Sequence, residues 1–344
     1  MATKTRSAGN SRPAKRGKQI TTARFQELFE LIVGNIGKVI KGKEEVVRLA
    51  LTALLADGHT LFEDLPGTGK TMLARALAQS IQGEVSRIQC TPDLLPADVT
   101  GSPVLDRRTG DFVFRPGPLF ANVLLVDEIN RATPKTQSAL LEAMAEQRVT
   151  VDGITHPLPR PFFVLATQNP IELAGTFPLP EAQLDRFLFK LTLGFADREA
   201  EVDVLRMNQR SETQAISTLG AVVDTRDISA MMEYASEVSV SDAVFYYIVD
   251  LCQASRQEPA LQMGASSRAS QAIMRAGRVL AASQGRDDVL PDDAKRLLPA
   301  VFGHRLILTP DAVLRDEQID QVIERIVTRV KLPLGSKAAA GATA

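Results

Sequence analysis

Leu61-Phe-Glu-Asp-Leu-Pro-Gly-Thr-Gly-Lys-Thr71 runs from a short apolar stretch through a turn into the helix-forming Met72-Leu-Ala-Arg-Ala-Leu-Ala78. Strand, glycine loop and helix in that order form the context in which such a loop holds phosphate. Gly67 and Gly69 are free to take positive φ, so successive backbone N–H groups converge as an anion nest. The helix that follows adds the positive end of its dipole. Lys70 is placed to reach the β- and γ-phosphates of a nucleotide, and the Thr71 hydroxyl to ligate Mg²⁺ beside them. Pro66, Thr68 and Met72 complete the stretch expected to contact the nucleotide. The strict GxxxxGK[ST] pattern has glycine where this chain has Asp64. Aspartate tolerates left-handed backbone better than most residues, so the turn is expected to survive, provided the carboxylate points away from the phosphates.

Working outward, Ala121-Asn-Val-Leu-Leu-Val-Asp-Glu128 is an apolar strand ending in two acids, 57 residues after Lys70. At the carboxyl end of a parallel strand such acids emerge into the ligand crevice. Asp127 is then expected to hold the magnesium shell, and Glu128 to orient and deprotonate the attacking water. Taken alone, an apolar run followed by Asp-Glu is more often a strand entering a solvated turn; its place after Lys70 in the same predicted sheet gives the pair its weight. A further buried strand, Pro161-Phe-Phe-Val-Leu-Ala-Thr-Gln-Asn-Pro170, ends in amides; Asn169 is within reach of the γ-phosphate or the nucleophilic water, and Pro170 stops the strand. Arg186 sits between a helix and an apolar strand, and Arg268 starts a later helix. Either can neutralise transition-state charge. Spacing does not say which acts within the chain and which across an interface.

Short apolar runs alternate with amphipathic helices as far as about residue 192, the pattern of βαβ units around a parallel sheet. Helical stretches follow at 197–207, 228–235, 242–254, 267–282, 292–302 and 317–330, which predicts a second, all-helical domain. The expected division is a basic disordered tail over 1–19, an α/β nucleotide-binding domain over 20–194, an α-helical lid over 195–332 and a second disordered tail over 333–344. The basic tail reads as a solvated end, with a nucleic-acid or membrane arm or a transit peptide as the functional alternatives.

The chain has 344 residues, 40 Lys and Arg against 41 Asp and Glu, two cysteines and three histidines. This balance excludes an overall basic field that draws a protein onto DNA or anionic membrane. Two cysteines exclude a disulfide framework and point to a reducing, cytoplasmic setting. No apolar run approaches the ~20 residues needed to cross a bilayer.

The ensemble resembles the AAA+ ATPases and, within them, the MoxR family, over about residues 20 to 332. The long strings that carry the likeness are Thr91-Pro-Asp-Leu-Leu-Pro-Ala-Asp-Val-Thr-Gly101, Phe114-Arg-Pro-Gly-Pro-Leu-Phe-Ala121, Asp127-Glu-Ile-Asn-Arg-Ala132, Ala166-Thr-Gln-Asn-Pro170 and Pro178-Leu-Pro-Glu-Ala-Gln-Leu-Asp-Arg-Phe187. The resemblance implies an AAA+ P-loop core with helices on both faces of its sheet. It aligns Lys70 and Thr71 with Walker A, Asp127 and Glu128 with Walker B, Asn169 with sensor 1, Arg186 with the arginine finger and Arg268 with sensor 2. Asp64 departs from the first Walker A glycine, and Ser267 stands where the family usually carries proline. By the same likeness Val39, Ile40 and Gly42, ahead of the first domain helix, line the adenine pocket. The family also implies a homo-oligomeric ring, usually hexameric, in which Arg186 reaches a neighbour's nucleotide and Arg268 reports nucleotide state to the helical lid.

Val104-Leu-Asp-Arg-Arg-Thr-Gly-Asp-Phe-Val-Phe114 and Val149-Thr-Val-Asp-Gly-Ile-Thr155 read as β-hairpins. They look like the two hairpin insertions of this clade that contact substrate; passive surface hairpins are the alternative. The leading expectation is an ATPase that remodels or matures client proteins, with metal or cofactor insertion as one form of that work, beside a von Willebrand A-domain partner. A nucleic-acid motor or chelatase-like subunit is the second reading, against which stand the net charge and the lack of a DNA-binding module. A nucleotide-gated scaffold with little turnover, hinted at by Asp64, is the third.

Overall fold

The structure, a computed structural model, describes residues 20–65, 67–169, 175–208 and 219–333. The basic tail, nearly all of the C-terminal tail, Pro66 and Pro170 lie outside the described residues.

Helix α1 (Thr22–Ile36) begins where the Thr21 hydroxyl accepts from Arg24 N, and it buries Phe25, Leu28, Phe29, Ile32, Val33 and Ile36. That spacing of three and four puts one apolar stripe on one side of the helix. Helix α2 (Glu44–Leu55) opens on Glu44 and Glu45, which suit its N-terminal dipole. Then come β1 (Thr60–Glu63), α3 (Lys70–Ser80), β2 (Val85–Gln89), α4 (Pro96–Thr100), β3 (Gly101–Leu105), β4 (Phe112–Pro116), β5 (Val123–Asp127), α5 (Pro134–Glu146), β6 (Arg148–Val151), β7 (Ile154–Pro157), β8 (Phe163–Gln168), α6 (Glu181–Leu184) and β9 (Phe189–Leu191).

Strands β2, β5, β8, β1 and β9 lie side by side in that order, every neighbouring pair parallel. Successive side chains on a strand face opposite ways. Phe62, Val123, Leu125, Phe163 and Leu165 therefore enter one buried cluster, while Leu61, Leu124, Val126, Val164 and Ala166 enter another across the sheet. The register sets Gln89 opposite Asp127 and Glu63 opposite Gln168, so four strand ends reach one edge of the sheet together.

The rest of the described chain is mainly helical: α7 (Arg198–Asn208), α8 (Thr225–Glu237), α9 (Asp242–Arg256), α10 (Ser267–Ser283), α11 (Pro291–Phe302), α12 (Pro310–Leu314) and α13 (Ile319–Arg329). Helix α10 packs against α1 and α2 as well as α8, α9 and α11, and one continuous apolar cluster joins these helices to a face of the sheet. One feature differs from an all-helical expectation. Strands β10 (Leu261–Met263) and β11 (Ile307–Leu308) form a small antiparallel ladder. Strands this short carry no legible alternation.

Strands β3 and β4 pair antiparallel, and so do β6 and β7, whose turn places Asp152 at φ 50° and Gly153 at φ 76°. Two successive positive φ values are what a two-residue hairpin of right-handed twist requires. The Phe114 ring of one hairpin stacks on the His156 ring of the other, centroids 4.0 Å apart.

Candidate active site

Between β1 and α3 the loop bends through Gly67 at φ 82° and Gly69 at φ 97°. A Cβ at Gly67 would meet no atom within 4 Å, so it is the positive φ and not crowding that favours glycine there. The Lys70 ammonium donates to Leu65 O at 2.6 Å and to Thr68 Oγ1 at 3.0 Å. Burial pushes Lys70 below its ordinary range, and the negative charges of Asp64, Asp127 and Glu128 push back.

Asp64 does not take left-handed backbone, so the tolerance expected of it is not what preserves the turn. Its carboxylate accepts from the backbone N–H of Leu193 and, at 3.0 Å, of Gly194, just past β9. A side chain in the glycine's place is accommodated because it satisfies two amides of the neighbouring loop.

At the end of β5, Asp127 Oδ2 accepts from Arg87 Nε at 2.7 Å, and Asp127 Oδ1 accepts from Thr167 Oγ1 at 3.4 Å. Glu128 stands at φ 55°, its N–H donating to Thr167 Oγ1 at 2.9 Å. Glu128 Oε2 accepts from Gln89 Nε2 at 3.1 Å and from Arg131 Nη1 at 3.0 Å. A non-glycine residue in this region is uncommon, and here the bend swings the second acid of the pair off the line of the strand. Cys90, beside this pair, is pushed up to about 12 by burial and then by the two carboxylates, so its thiol stays protonated.

These groups share one cleft of ≈ 290 Å³, which Gly67, Thr68, Gly69, Lys70, Thr71, Met72, Asp127, Glu128 and Asn169 line together with Asp64, Arg87, Gln89, Thr167 and Gln168. Among the described residues no three His, Cys, Asp or Glu side chains form a self-contained metal site. A hydroxyl and a carboxylate beside a phosphate loop do fit Mg²⁺, a hard ion that keeps waters and takes its remaining oxygens from substrate phosphates.

A second cavity of ≈ 400 Å³ adjoins the other side of the loop. Val39, Ile40 and Met72 line it, with Phe195, Val204 and Leu205 from the segment entering α7 and from α7 itself. Val39 and Ile40 lie between α1 and α2, so a helix precedes them. Gly42 is not among the lining residues; at φ 68°, its missing Cβ leaves room for Ala200 Cβ, which one would meet at 3.0 Å.

Arg186 and Arg268 lie elsewhere. Neither lines the phosphate cleft. Together they line a cavity of ≈ 350 Å³ with Glu142, Glu146, Asp185, Arg275 and Arg305, and Arg186 Nη1 donates to Leu141 O at 2.7 Å.

Arg87 and Gln89 belong to the cleft although no motif marks them. Their signal is the alternation of Arg87, Ile88 and Gln89, which turns two polar side chains to one face at a strand end. Arg305 and Phe195 carry no comparable signal.

A five-stranded parallel sheet, a glycine loop into a helix and paired acids on a nearby strand, followed by helices, define an ATPase of the AAA class with its lid. A family model described as ATPase family associated with various cellular activities (AAA) matches residues 59–189, and one described as AAA lid domain matches residues 253–326. The chain belongs to the MoxR family of these ATPases. It is 40% identical over 314 residues to Chaperone MoxR1 of Mycobacterium tuberculosis, covering 89% of this chain and 82% of that protein. It is 31% identical to Protein MoxR of Paracoccus denitrificans, covering 84% and 90%. It is also 48% identical to the uncharacterized protein YeaC of Bacillus subtilis, covering 90% and 98%. A crystal structure of a candidate ATPase from Cytophaga hutchinsonii superposes with a TM-score of 0.84 at 35% identity, covering 90% of this chain and 96% of that one. No helix among the described residues is long and apolar enough to cross a membrane.

Proposed function

We propose that this chain hydrolyses ATP with Mg²⁺ at sites shared between neighbouring subunits of a ring, and uses the cycle to remodel or mature client proteins. The observation that carries this reading is a separation. Lys70, Thr71, Asp127, Glu128 and Asn169 line one cleft, while Arg186 and Arg268 line another cavity of the same chain. A site that needs both sets is completed by a second copy.

In this reading the loop amides and Lys70 hold the β- and γ-phosphates, and the apolar walls of Val39, Ile40 and Leu205 take the adenine ring. Thr71 and Asp127 hold the magnesium ion, which supplies charge compensation on the phosphate oxygens. Glu128 accepts a proton from the water that attacks the γ-phosphorus, the bond to the bridging oxygen breaks, and Asn169 orients that water. Arg186 and Arg268 of a neighbour offset charge developing on the transferred group. The hairpins of β3–β4 and β6–β7, joined through Phe114 and His156, carry motion to the client.

Chaperone MoxR1 is named a chaperone, which supports a protein client over a nucleic acid. A von Willebrand A-domain protein is the proposed partner. Phosphate release per subunit, measured over a hundredfold range of protein concentration against a Glu128→Gln blank, is expected to climb and saturate. A rate flat with concentration from a chain that sizing shows to be monomeric would overturn the shared site. Stimulation by DNA and not by a von Willebrand A-domain protein would overturn the protein-client reading.

A further inference from the structure

Asp185 is the residue immediately before Arg186, and its side chain is 17% exposed. Its Oδ1 accepts from Arg305 Nε at 2.6 Å and its Oδ2 from Ser266 Oγ at 2.9 Å. Arg305 itself is buried, its side chain 4% exposed. The remaining guanidinium hydrogens go to backbone carbonyls: Phe187 O at 2.7 Å, Asp185 O at 3.3 Å, Leu188 O at 3.2 Å and Val301 O at 2.6 Å. One side chain from the turn after α11 thus grips the main chain on both sides of Arg186. A planar fork of five donors suits such a grip, and a lysine ammonium does not reproduce it.

Ser266 is the N-cap of α10, its hydroxyl oxygen accepting from Arg268 N at 3.1 Å while it donates to Asp185. The Asp185 carboxylate is therefore one peptide bond from Arg186 and one hydrogen bond from the helix start that carries Arg268. Both arginines face the same cavity, and its carboxylates, Glu142, Glu146 and Asp185, offset the repulsion between them.

We propose that Asp185, held by Arg305 and Ser266, is a positioning residue that locks Arg186 and Arg268 into one two-pronged group for presentation to the neighbouring subunit's nucleotide. This assignment rests on the shared-site reading above. Charge stabilisation is geometric, so a displaced arginine of about 1 Å costs on the order of a hundredfold in rate. An unlinked pair on two separate elements would be free to shift by that much relative to one another. The linkage removes that freedom before the subunits meet.

Two variants test it. Asp185→Asn keeps the shape and removes the charge. Ser266→Asp keeps a good helix cap at an exposed position, yet cannot donate to Asp185 and places like charge against it. Each is expected to bind nucleotide at its own cleft as the parent does while losing about ten- to a hundredfold in turnover, and Ser266→Thr is expected to keep parental turnover. Each is then mixed with Glu128→Gln, whose own site is blocked but whose arginines are intact. Turnover is expected to return in the mixed assemblies, as it is for Arg186→Ala mixed the same way. If the Arg186→Ala mixture recovers and the Ser266→Asp mixture does not, or if Ser266→Asp turns over like the parent, positioning by Asp185 is overturned. If the Arg186→Ala mixture itself fails to recover, the shared site is overturned and this assignment with it.

Discussion

Arg87 Nε lies 2.7 Å from Asp127 Oδ2, so the carboxylate at the end of β5 is already engaged by a cation on the neighbouring strand. Arg87 is half exposed, with 52% of its side chain accessible, and such a pair is worth no more than about 1 kcal/mol. A magnesium ion held by Asp127, as proposed, would have to compete with Arg87 for that carboxylate. Arg87→Gln is expected to lower the Mg²⁺ concentration at half-maximal nucleotide binding, by about fivefold at most. A titration of labelled nucleotide binding against Mg²⁺ reads this. A higher Mg²⁺ requirement in the variant would instead mean that Arg87 contacts the phosphates.

Glu128→Gln keeps an acceptor for Gln89 and removes the carboxylate proposed as the base. Phosphate release is expected to fall by about 10²- to 10⁴-fold with nucleotide affinity retained. Lys70→Ala is expected to lose affinity itself. Equilibrium binding and single-turnover release measured side by side separate the two, and equal losses of affinity in both variants would remove Glu128 from the chemistry.

Asp64→Gly would restore the strict loop pattern. Because the carboxylate satisfies the Leu193 and Gly194 amides, the change is expected to destabilise the fold by about 1–3 kcal/mol rather than to improve it. Urea unfolding midpoints compare the variant with the parent and with Asp64→Asn, which keeps one acceptor. An unchanged midpoint for Asp64→Gly would mean those amides are satisfied otherwise.

His59 is buried, with Nδ1 accepting from Val164 N at 3.2 Å and Nε2 3.1 Å from Met144 O, the pattern of a neutral ring donating through Nε2. Burial holds its pKa near 4, against 6.5 in an unfolded chain. The unfolded state therefore binds more protons between those values, and the stability present above about pH 6.5 is lost as pH falls toward 4, about 3 kcal/mol in total. His304, lowered by burial and by Arg305, adds loss in the same direction. The gap in stability between pH 7 and pH 4.5 is expected to shrink in His59→Gln, and an unchanged gap would mean that other groups dominate acid unfolding.

Much of the nucleotide cleft was legible because it is written in contiguous residues. Pro66 to Thr71 is a local signal, since a glycine loop before a helix has few backbone solutions. The alternation of core-facing residues on β5 and β8 is local as well. Arg87 and Gln89 are not legible in this way despite their alternation, because polar residues on a short strand equally describe a solvated face. Gly42 was assigned to a pocket by likeness, whereas its missing side chain serves the close approach of Ala200.

The sequence by itself determined a parallel sheet with its phosphate loop, the paired acids and the helices that follow, because propensity, turn chemistry and hydrophobic period act over neighbouring residues. Only the tertiary structure decided which side chains meet: that Asp64 caps amides 129 and 130 residues away, that Arg87 reaches Asp127, and that Arg186 stands with Arg268 rather than over the phosphate loop. Those meetings depend on strand order and on how α10 and α11 settle against the sheet. Both are set by long-range burial, which has no period for a sequence to display.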